Sequence, residues 1–426
     1  MPARQLRRGT LTALLLVLLG GQLAVQGLVV DVVADRPEAL YSCGETAAFA
    51  VTVSRDGQPL AEGEVSYSVT VDGGRVLSQG TLTLTGGEAQ VAGTLDEPGI
   101  LRATVSVPDG ERPATGLGAA AFEPERIQPG APEPTDFQAF WDAEKAKLAA
   151  VPIDAQLTER PDLSDAEMTV YKISLGNIDG SRVGGWLGVP KNTGPFPAVL
   201  TVPWAGVYAT PVGLIGWAKR GCLAMAISAH DVDIDLPAAD YEALSAGTLK
   251  AYQFQGRDSR DTCYFRRVFL SCVRAIDYLT SHPDWNQRAM IVTGSSQGGG
   301  LSLVAAGLDP RVTALAANVP ALCDHHGKFA GRSSGWPQII YDDNAEQKAA
   351  AQYYDAVDFA RRITCPAIVG VGLVDATCPP SSVFAAYNVL QGEKQIVISP
   401  RMGHSQSQEC ADLLYRWIPQ QAGLGQ

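Results

Sequence analysis

Two hydrophobic periods divide the chain. Between residues 28 and 122 apolar and polar positions alternate: Phe49, Val51 and Val53 form one set and Val65, Tyr67, Val69 and Val71 another, with further short runs at Thr81 to Thr85 and Leu101 to Val107. A period of two puts such side chains on one face of a half-buried strand. Asp56-Gly57 and Asp72-Gly73 supply the positive-φ residues of tight hairpins. About seven short strands with these turn signals predict an immunoglobulin-like β-sandwich.

Residues 122 to 135 (FEPERIQPGAPEPT) hold four prolines and no period, which predicts a stiff linker over 123–135. Phe137, Phe140, Trp141, Lys145 and Leu148 then fall at helical spacing. From residue 165 strands alternate with helices. Strands are expected at Thr169 to Leu175, Val183 to Val189, Ala198 to Val202, Cys222 to Ile227, Met290 to Thr293, Val312 to Val319, Pro366 to Val371 and Gln395 to Ile398. Helices are expected at Val212 to Arg220 and Cys263 to Leu279. That alternation predicts a mostly parallel sheet covered on both faces, with its ligand outside the carboxyl ends of the strands. The domain at 136–426 is thus α/β, preceded by an all-β domain at 28–122. The proline-rich boundary implies that a chain beginning near Pro132 stays soluble and active.

Residues 1–27 read as an export signal, because Arg4, Arg7 and Arg8 precede the apolar run Leu11 to Leu19. That run is too short to span a bilayer. Cleavage removes three arginines and no acid, taking the net charge from -12 to -15. A secreted or periplasmic protein without stable membrane insertion is expected. Hydrophobic residues at 46% and charged residues at 18% exclude a largely disordered chain. The acidic balance argues against a nucleic-acid partner, which needs a concentrated basic face. Residues 28–122 carry thirteen Asp and Glu, five Arg and no Lys. The eight cysteines show no zinc spacing; export leaves room for one or two disulfides among the seven that follow Cys43.

The candidate chemistry lies at Gly294-Ser295-Ser296-Gln297-Gly298, a GxSxG directly after the apolar stretch Ala289 to Thr293 and before a small-residue helix. A serine at such a strand-to-helix turn is the nucleophile of an α/β-hydrolase fold, and the glycines leave room for neighbouring backbone. Only Ser296 has glycine at both minus two and plus two; Ser295 does not. The amide of Gln297 is then an oxyanion donor. In this fold the acid and base follow in chain order on later loops: Asp375 after the strand Pro366 to Val371, and His404 after the last strand. The second oxyanion donor belongs on the loop Val202-Pro203-Trp204; Pro203 has no N–H, which leaves Trp204. Asp231, Asp233 and Asp235 lack the Gly and distal Glu of a calcium loop, and His325-His326 alone make a poor zinc site. A Ser-His-Asp mechanism needs no metal and no organic cofactor.

These residues sit in a longer pattern: Tyr264 to Leu270 running into Arg274-Ala275-Ile276-Asp277-Tyr278-Leu279, GSSQGGG at 294–300, DPRV at 309–312, PALCD at 320–324, and Asp375 followed by CPPSSVFAAYN at 378–388. Residues 136 to 420 resemble the acetyl xylan esterase and cephalosporin-C deacetylase family, carbohydrate esterase family seven. The resemblance implies Ser296 as nucleophile, Asp375 as acid and His404 as base, with an acetylated carbohydrate as substrate. It leaves a homo-oligomer open. The chain departs from the family's pattern at Gly403-His404-Ser405 (commonly Gly-His-Glu), at Val202-Pro203-Trp204 (commonly His-Gly-Tyr) and at the reordered Gln255-Gly256-Arg257. With the bulky Trp204 beside the oxyanion loop, the expected preference is for short acyl chains. The competing readings are a serine hydrolase of another specificity, such as a peptidase or a larger-acyl esterase, and a non-catalytic surface binding protein.

Overall fold

A computed structural model describes residues 27–424, so the leader expected over residues 1–27 falls outside the described residues apart from Gly27. The N-terminal region holds nine strands: β1 (Leu28–Ala34), β2 (Leu40–Tyr41), β3 (Thr46–Arg55), β4 (Gln58–Pro59), β5 (Glu62–Val71), β6 (Val76–Thr85), β7 (Glu88–Thr94), β8 (Gly99–Val107) and β9 (Ala114–Phe122). They run in the order β1-β3-β7-β6-β5-β8-β9-β2, with β4 on β3. One residue pair, Thr85 with Glu88, joins β6 to β7. The sheet therefore curls at this hairpin into two facing layers. Its interior is what the period-two pattern anticipates: Phe49, Val51 and Val53 of one layer face Val65, Val69, Leu101, Ala103 and Val105 of the other.

β8 and β9 are buried on both faces. Leu101, Ala103, Ala120 and Phe122 point into the sandwich. Ile100, Ala119 and Ala121 instead join the apolar core of the α/β domain, together with Ile127 beyond the strand. The segment expected as a spacer is accordingly pinned down. Asn388 Nδ2 donates to the carbonyls of Pro124 and Ile127, both at 2.9 Å; the Gly130 amide donates to Asp324 Oδ1 at 2.6 Å; Glu133 pairs with Arg362. Proline keeps this stretch extended, and its free carbonyls and side chains find partners on the neighbouring domain.

The second sheet contains β10 (Gln156–Glu159), β11 (Met168–Gly176), β12 (Arg182–Pro190), β13 (Phe196–Thr201), β14 (Leu223–Ile227), β15 (Trp285–Ser295), β16 (Ala314–Asn318), β17 (Ala367–Gly372) and β18 (Lys394–Ser399). The spatial order is β10-β11-β12-β14-β13-β15-β16-β17-β18. β10 to β12 pair antiparallel, and β12 meets β14 antiparallel. Every later pairing is parallel. Central strands β13, β14 and β16 are buried at every residue, as uninterrupted apolar runs demand when helices cover both faces.

Eight helices are described: α1 (Phe137–Ala149), α2 (Ala238–Ala246), α3 (Tyr264–Ser281), α4 (Gln297–Leu308), α5 (Ala345–Ala351), α6 (Ala356–Ala360), α7 (Pro380–Val389) and α8 (Gln408–Gln421). α3 buries Phe265, Val268, Phe269, Cys272 and Ile276 at helical spacing. α8 covers the opposite face, where Cys410, Leu414 and Ile418 meet Val199, Ile291, Ala316 and Ile368. Residues Val212–Arg220, expected as an α-helix, form tighter 3-10 turns broken at Ile215. Gly213 and Gly216 favour no regular helix there.

Candidate active site

β15 delivers the chain into a sharp turn at Ser296, whose φ of 59° and ψ of -122° are costly for any residue but glycine. Surrounding bonds hold it: the Ser296 amide donates to the Asn318 carbonyl at 3.0 Å, and the Ser296 carbonyl accepts from Gly300 and Ala321. The flanking glycines are a matter of space. A Cβ on Gly294 would lie 2.5 Å from the Gly298 carbonyl oxygen, and one on Gly298 would lie 2.5 Å from that of Val202. The second of these contacts seats the Val202-Pro203 loop against the first turn of α4. Gln297 opens that helix, so its N–H has no partner within the helix.

Ser296 Oγ lies 2.8 Å from His404 Nε2, and His404 Nδ1 lies 2.8 Å from Asp375 Oδ2. A carboxylate only accepts, so Nδ1 carries the proton and Nε2 is left to accept from the serine. The Asp375 carboxylate is fully buried while the imidazole reaches solvent. Its other oxygen accepts from the amides of Thr377 at 2.8 Å and Cys378 at 2.9 Å. The loop that presents the acid thus bonds to the acid, fixing which oxygen faces the histidine.

The loop after β13 is held by side-chain bonds that the sequence patterns did not reveal. Gln297 is completely buried; its Nε2 donates to the carbonyls of Pro203 and Trp204 at 3.3 and 3.4 Å, and its Oε1 accepts from the Tyr252 hydroxyl at 2.9 Å. That hydroxyl also receives the Gly206 amide at 3.2 Å. His230 Nε2 lies 2.8 Å from the Gly206 carbonyl, so this nitrogen donates, and Nδ1 accepts from the Tyr264 hydroxyl at 2.6 Å. Arg267 Nη2 donates to the same hydroxyl at 3.0 Å. Burial lowers the His230 pKa to about 4, which keeps it neutral. The Trp204 amide stands on this braced loop. Its indole stacks on Tyr208 with centroids 4.9 Å apart and is 37% exposed. Beyond the stack an open groove of about 570 Å³ runs between Tyr208 and α2, lined by Val207, Leu236, Tyr241 and Glu242.

The remaining candidates fall outside the constellation. Asp235 pairs with Lys172 and Arg160, both at 2.6 Å, and Asp231 accepts the Arg182 amide at 3.1 Å. His325 sits buried with its amide on Asp355 and its ring toward the Tyr354 carbonyl. Burial lowers its pKa and that of His326 to about 4. All eight cysteines are described and none is bonded to another, so the anticipated bridges are not formed in the structure. Asp375, Cys378 and His404 bring three potential metal ligands together. Burial and the neighbouring carboxylate push the Cys378 thiol well above its ordinary range, which disfavours the thiolate a metal needs, and the facing Asp375 and His404 atoms already bond each other.

Sheet order, elbow and the Ser296–His404–Asp375 contacts are those of the α/β-hydrolase fold, and the relatives that follow make this chain a carboxylic ester hydrolase. The sequence model of the acetyl xylan esterase (AXE1) family matches residues 123–421, and the chain belongs to that family. It is 33% identical over 397 residues to acetyl esterase Axe7A of Xylanibacter ruminicola, a match spanning 91% of this chain and 90% of that one, so most of the N-terminal β region lies within it. Among solved structures, the acetyl xylan esterase of Paenibacillus sp. R4 is 28% identical with a TM-score of 0.60, covering 70% of this chain and 98% of its own. Acetyl xylan esterase 1 of Thermoanaerobacterium sp. JW/SL YS485 shares the fold at 24% identity, with a TM-score of 0.62 and the same coverages.

Proposed function

We propose that this chain hydrolyses acetyl esters on carbohydrates such as acetylated xylan or xylo-oligosaccharides, through an acyl-enzyme on Ser296. The observation that carries the reading is the unbroken chain of 2.8 Å contacts from Ser296 through His404 to Asp375 at a strained elbow. His404 Nε2 takes the serine proton as Oγ attacks the acetyl carbonyl, and Asp375 holds the ring and stabilises the imidazolium. The oxyanion develops at the N-terminus of α4, where the Gln297 amide and, from the facing loop, the Trp204 amide donate. The imidazolium protonates the departing sugar hydroxyl, and water repeats the cycle to release acetate. Acetate as the acyl group follows the names of the relatives. The sugar side is the open one, with the exposed Trp204 face and the groove beside Tyr208 offering apolar surface to a pyranose ring.

Comparing kcat/KM for acetyl, propionyl and butyryl esters of one alcohol tests the substrate, with Ser296→Ala alongside. A pocket that seats acetyl disfavours each further methylene by roughly 10- to 200-fold. Preference for butyryl would overturn the deacetylase reading in favour of a larger-acyl esterase. Ser296→Ala and His404→Ala should each lower kcat by on the order of 10⁶, and together little more. Export rests on Arg4, Arg7, Arg8 and the apolar run that follows; protein recovered outside the cytoplasm should begin near Leu28 on N-terminal sequencing, and an intact leader would contradict it.

A further inference from the structure

The loop from Asp375 to Ser381 is gripped from outside its own domain. Strand β8 carries Arg102, and the hairpin between β5 and β6 carries Asp72; both side chains are buried. Arg102 Nη2 lies 2.6 Å from Asp72 Oδ1 and 2.6 Å from the main-chain carbonyl of Asp375. The second oxygen of Asp72 accepts the Ser381 amide at 2.9 Å. One ion pair therefore touches both ends of the segment that presents the acid. A displacement of the Asp375 backbone would break its bond to the N-terminal domain.

The hairpin is built for that reach. Asp72 at φ 45° and Gly73 at φ 79°, with the Gly74 amide on the Val71 carbonyl at 2.8 Å, form a type I′ turn. A Cβ on Gly74 would lie 2.6 Å from the Gly331 carbonyl oxygen, so the turn meets the α/β domain backbone to backbone, and the Arg75 amide adds a bond to that same oxygen at 3.0 Å. Burial pushes the Asp72 pKa up to about 6, and the neighbouring Arg102 is the largest effect opposing that rise; the Asp72 side chain is fully buried and that of Arg102 is nearly so. A buried pair of this kind is a poor source of stability, since two apolar residues of like volume commonly do as well. Its geometry points to orientation instead.

We infer that the N-terminal β domain is a working part of the active site: Arg102 and Asp72 are positioning residues that clamp the Asp375–Ser381 loop and hold the acid in register with His404. This rests on reading Asp375 as the acid of the hydrolytic triad. The sequence marks Asp72 only as a hairpin residue and Arg102 not at all, and the family match begins at Glu123, after both.

The test is steady-state kinetics of full-length Arg102→Met/Asp72→Asn, which removes both charges and leaves no buried ion unpaired. Asp375→Asn and Asn388→Ala serve as references. Asn388 also ties the two domains together, through Pro124 and Ile127, but does not touch the acid loop. The clamp predicts a kcat about 10- to 100-fold lower for the double variant, with KM changed less than about twofold. The acid limb of kcat/KM should move to lower pH, because a misaligned Asp375 stabilises the imidazolium less. Asn388→Ala should lower Tm without moving kcat or the pH profile, and Arg102→Lys, which keeps the charge, should recover part of the lost kcat. If the double variant is too unstable to purify, Arg102→Lys and Asp72→Asn alone carry the same comparison. Wild-type kcat and pH profile in these variants, beside an inactive Asp375→Asn, would overturn the clamp and leave the triad standing. An active Asp375→Asn would remove the triad reading and the clamp with it.

Discussion

His230 shows how a single residue can govern a site it does not enter. Its Nε2 donates to the Gly206 carbonyl, and in the neutral ring that burial favours, Nδ1 accepts from the Tyr264 hydroxyl. Its folded pKa of about 4 lies below the ordinary 6.5 because burial penalises the charge. A depressed histidine pKa contributes stability that is present in full above the unfolded value and is lost as pH falls from about 6.5 through 4, since the unfolded chain takes up the proton first. Other buried groups titrate in the same range, so the contribution is read as a difference. The stability of wild type minus that of His230→Gln should fall by about 1 kcal/mol per pH unit between 6 and 4.5 in chemical denaturation. A flat difference would show that His230 is not held neutral. Ser296, Asp375 and His404 were legible in the sequence because each occupies a defined place after a strand. The bonds of His230, Tyr252 and Tyr264 were not, because they hold a distant loop, and only folding brings residues 206, 230, 252 and 264 together.

Among elements, the elbow and α4 depend on closeness more than on hydrophobic pattern. α4 is buried on nearly all sides and so shows no amphipathic face. Gly298 lets its first turn lie against the Val202-Pro203 loop, where a methyl group would sit 2.5 Å from the Val202 oxygen. Gly298→Ala should cost about 1–3 kcal/mol, as overpacking does, and should lower kcat more than KM, because the loop it displaces carries Trp204. Thermal unfolding together with kinetics checks both; an unchanged kcat would separate this loop from catalysis. The same distinction between pattern and packing explains what the sequence revealed of the sheet. β11 to β18 are visible as apolar runs, whereas β10, exposed at all four residues, has no such signal and exists through its pairing with β11. Asp72-Gly73 was readable as a hairpin, but the surface its tip would meet was not.

The whole molecule departs most from a reading as beads on a linker. Two solved relatives match 70% of this chain over 98% of their own length. Here the division at 123–135 is a change of composition and not a break in packing. Ile100, Ala119, Ala121 and Ile127 belong to the same apolar core as β13 and α3, and the Arg102–Asp72 pair reaches the loop of the acid. A chain beginning near Pro132 would uncover the surface beneath Ile100 and Ile127, at about 1.5–3 kcal/mol for each such side chain, against a total stability of roughly 5–15 kcal/mol. It would also release the acid loop. Such a chain is therefore expected to aggregate or, where it stays in solution, to unfold at lower denaturant and to turn over small esters at least about tenfold more slowly. Adding the separate β domain, residues 28–131, should restore part of the rate in a concentration-dependent manner if the two surfaces can still meet. Expressing the full-length and shortened chains side by side, and measuring solubility, unfolding midpoint and kcat on one acetyl ester, decides the matter. A shortened chain with full-length stability and turnover would return the β domain to the status of an appendage.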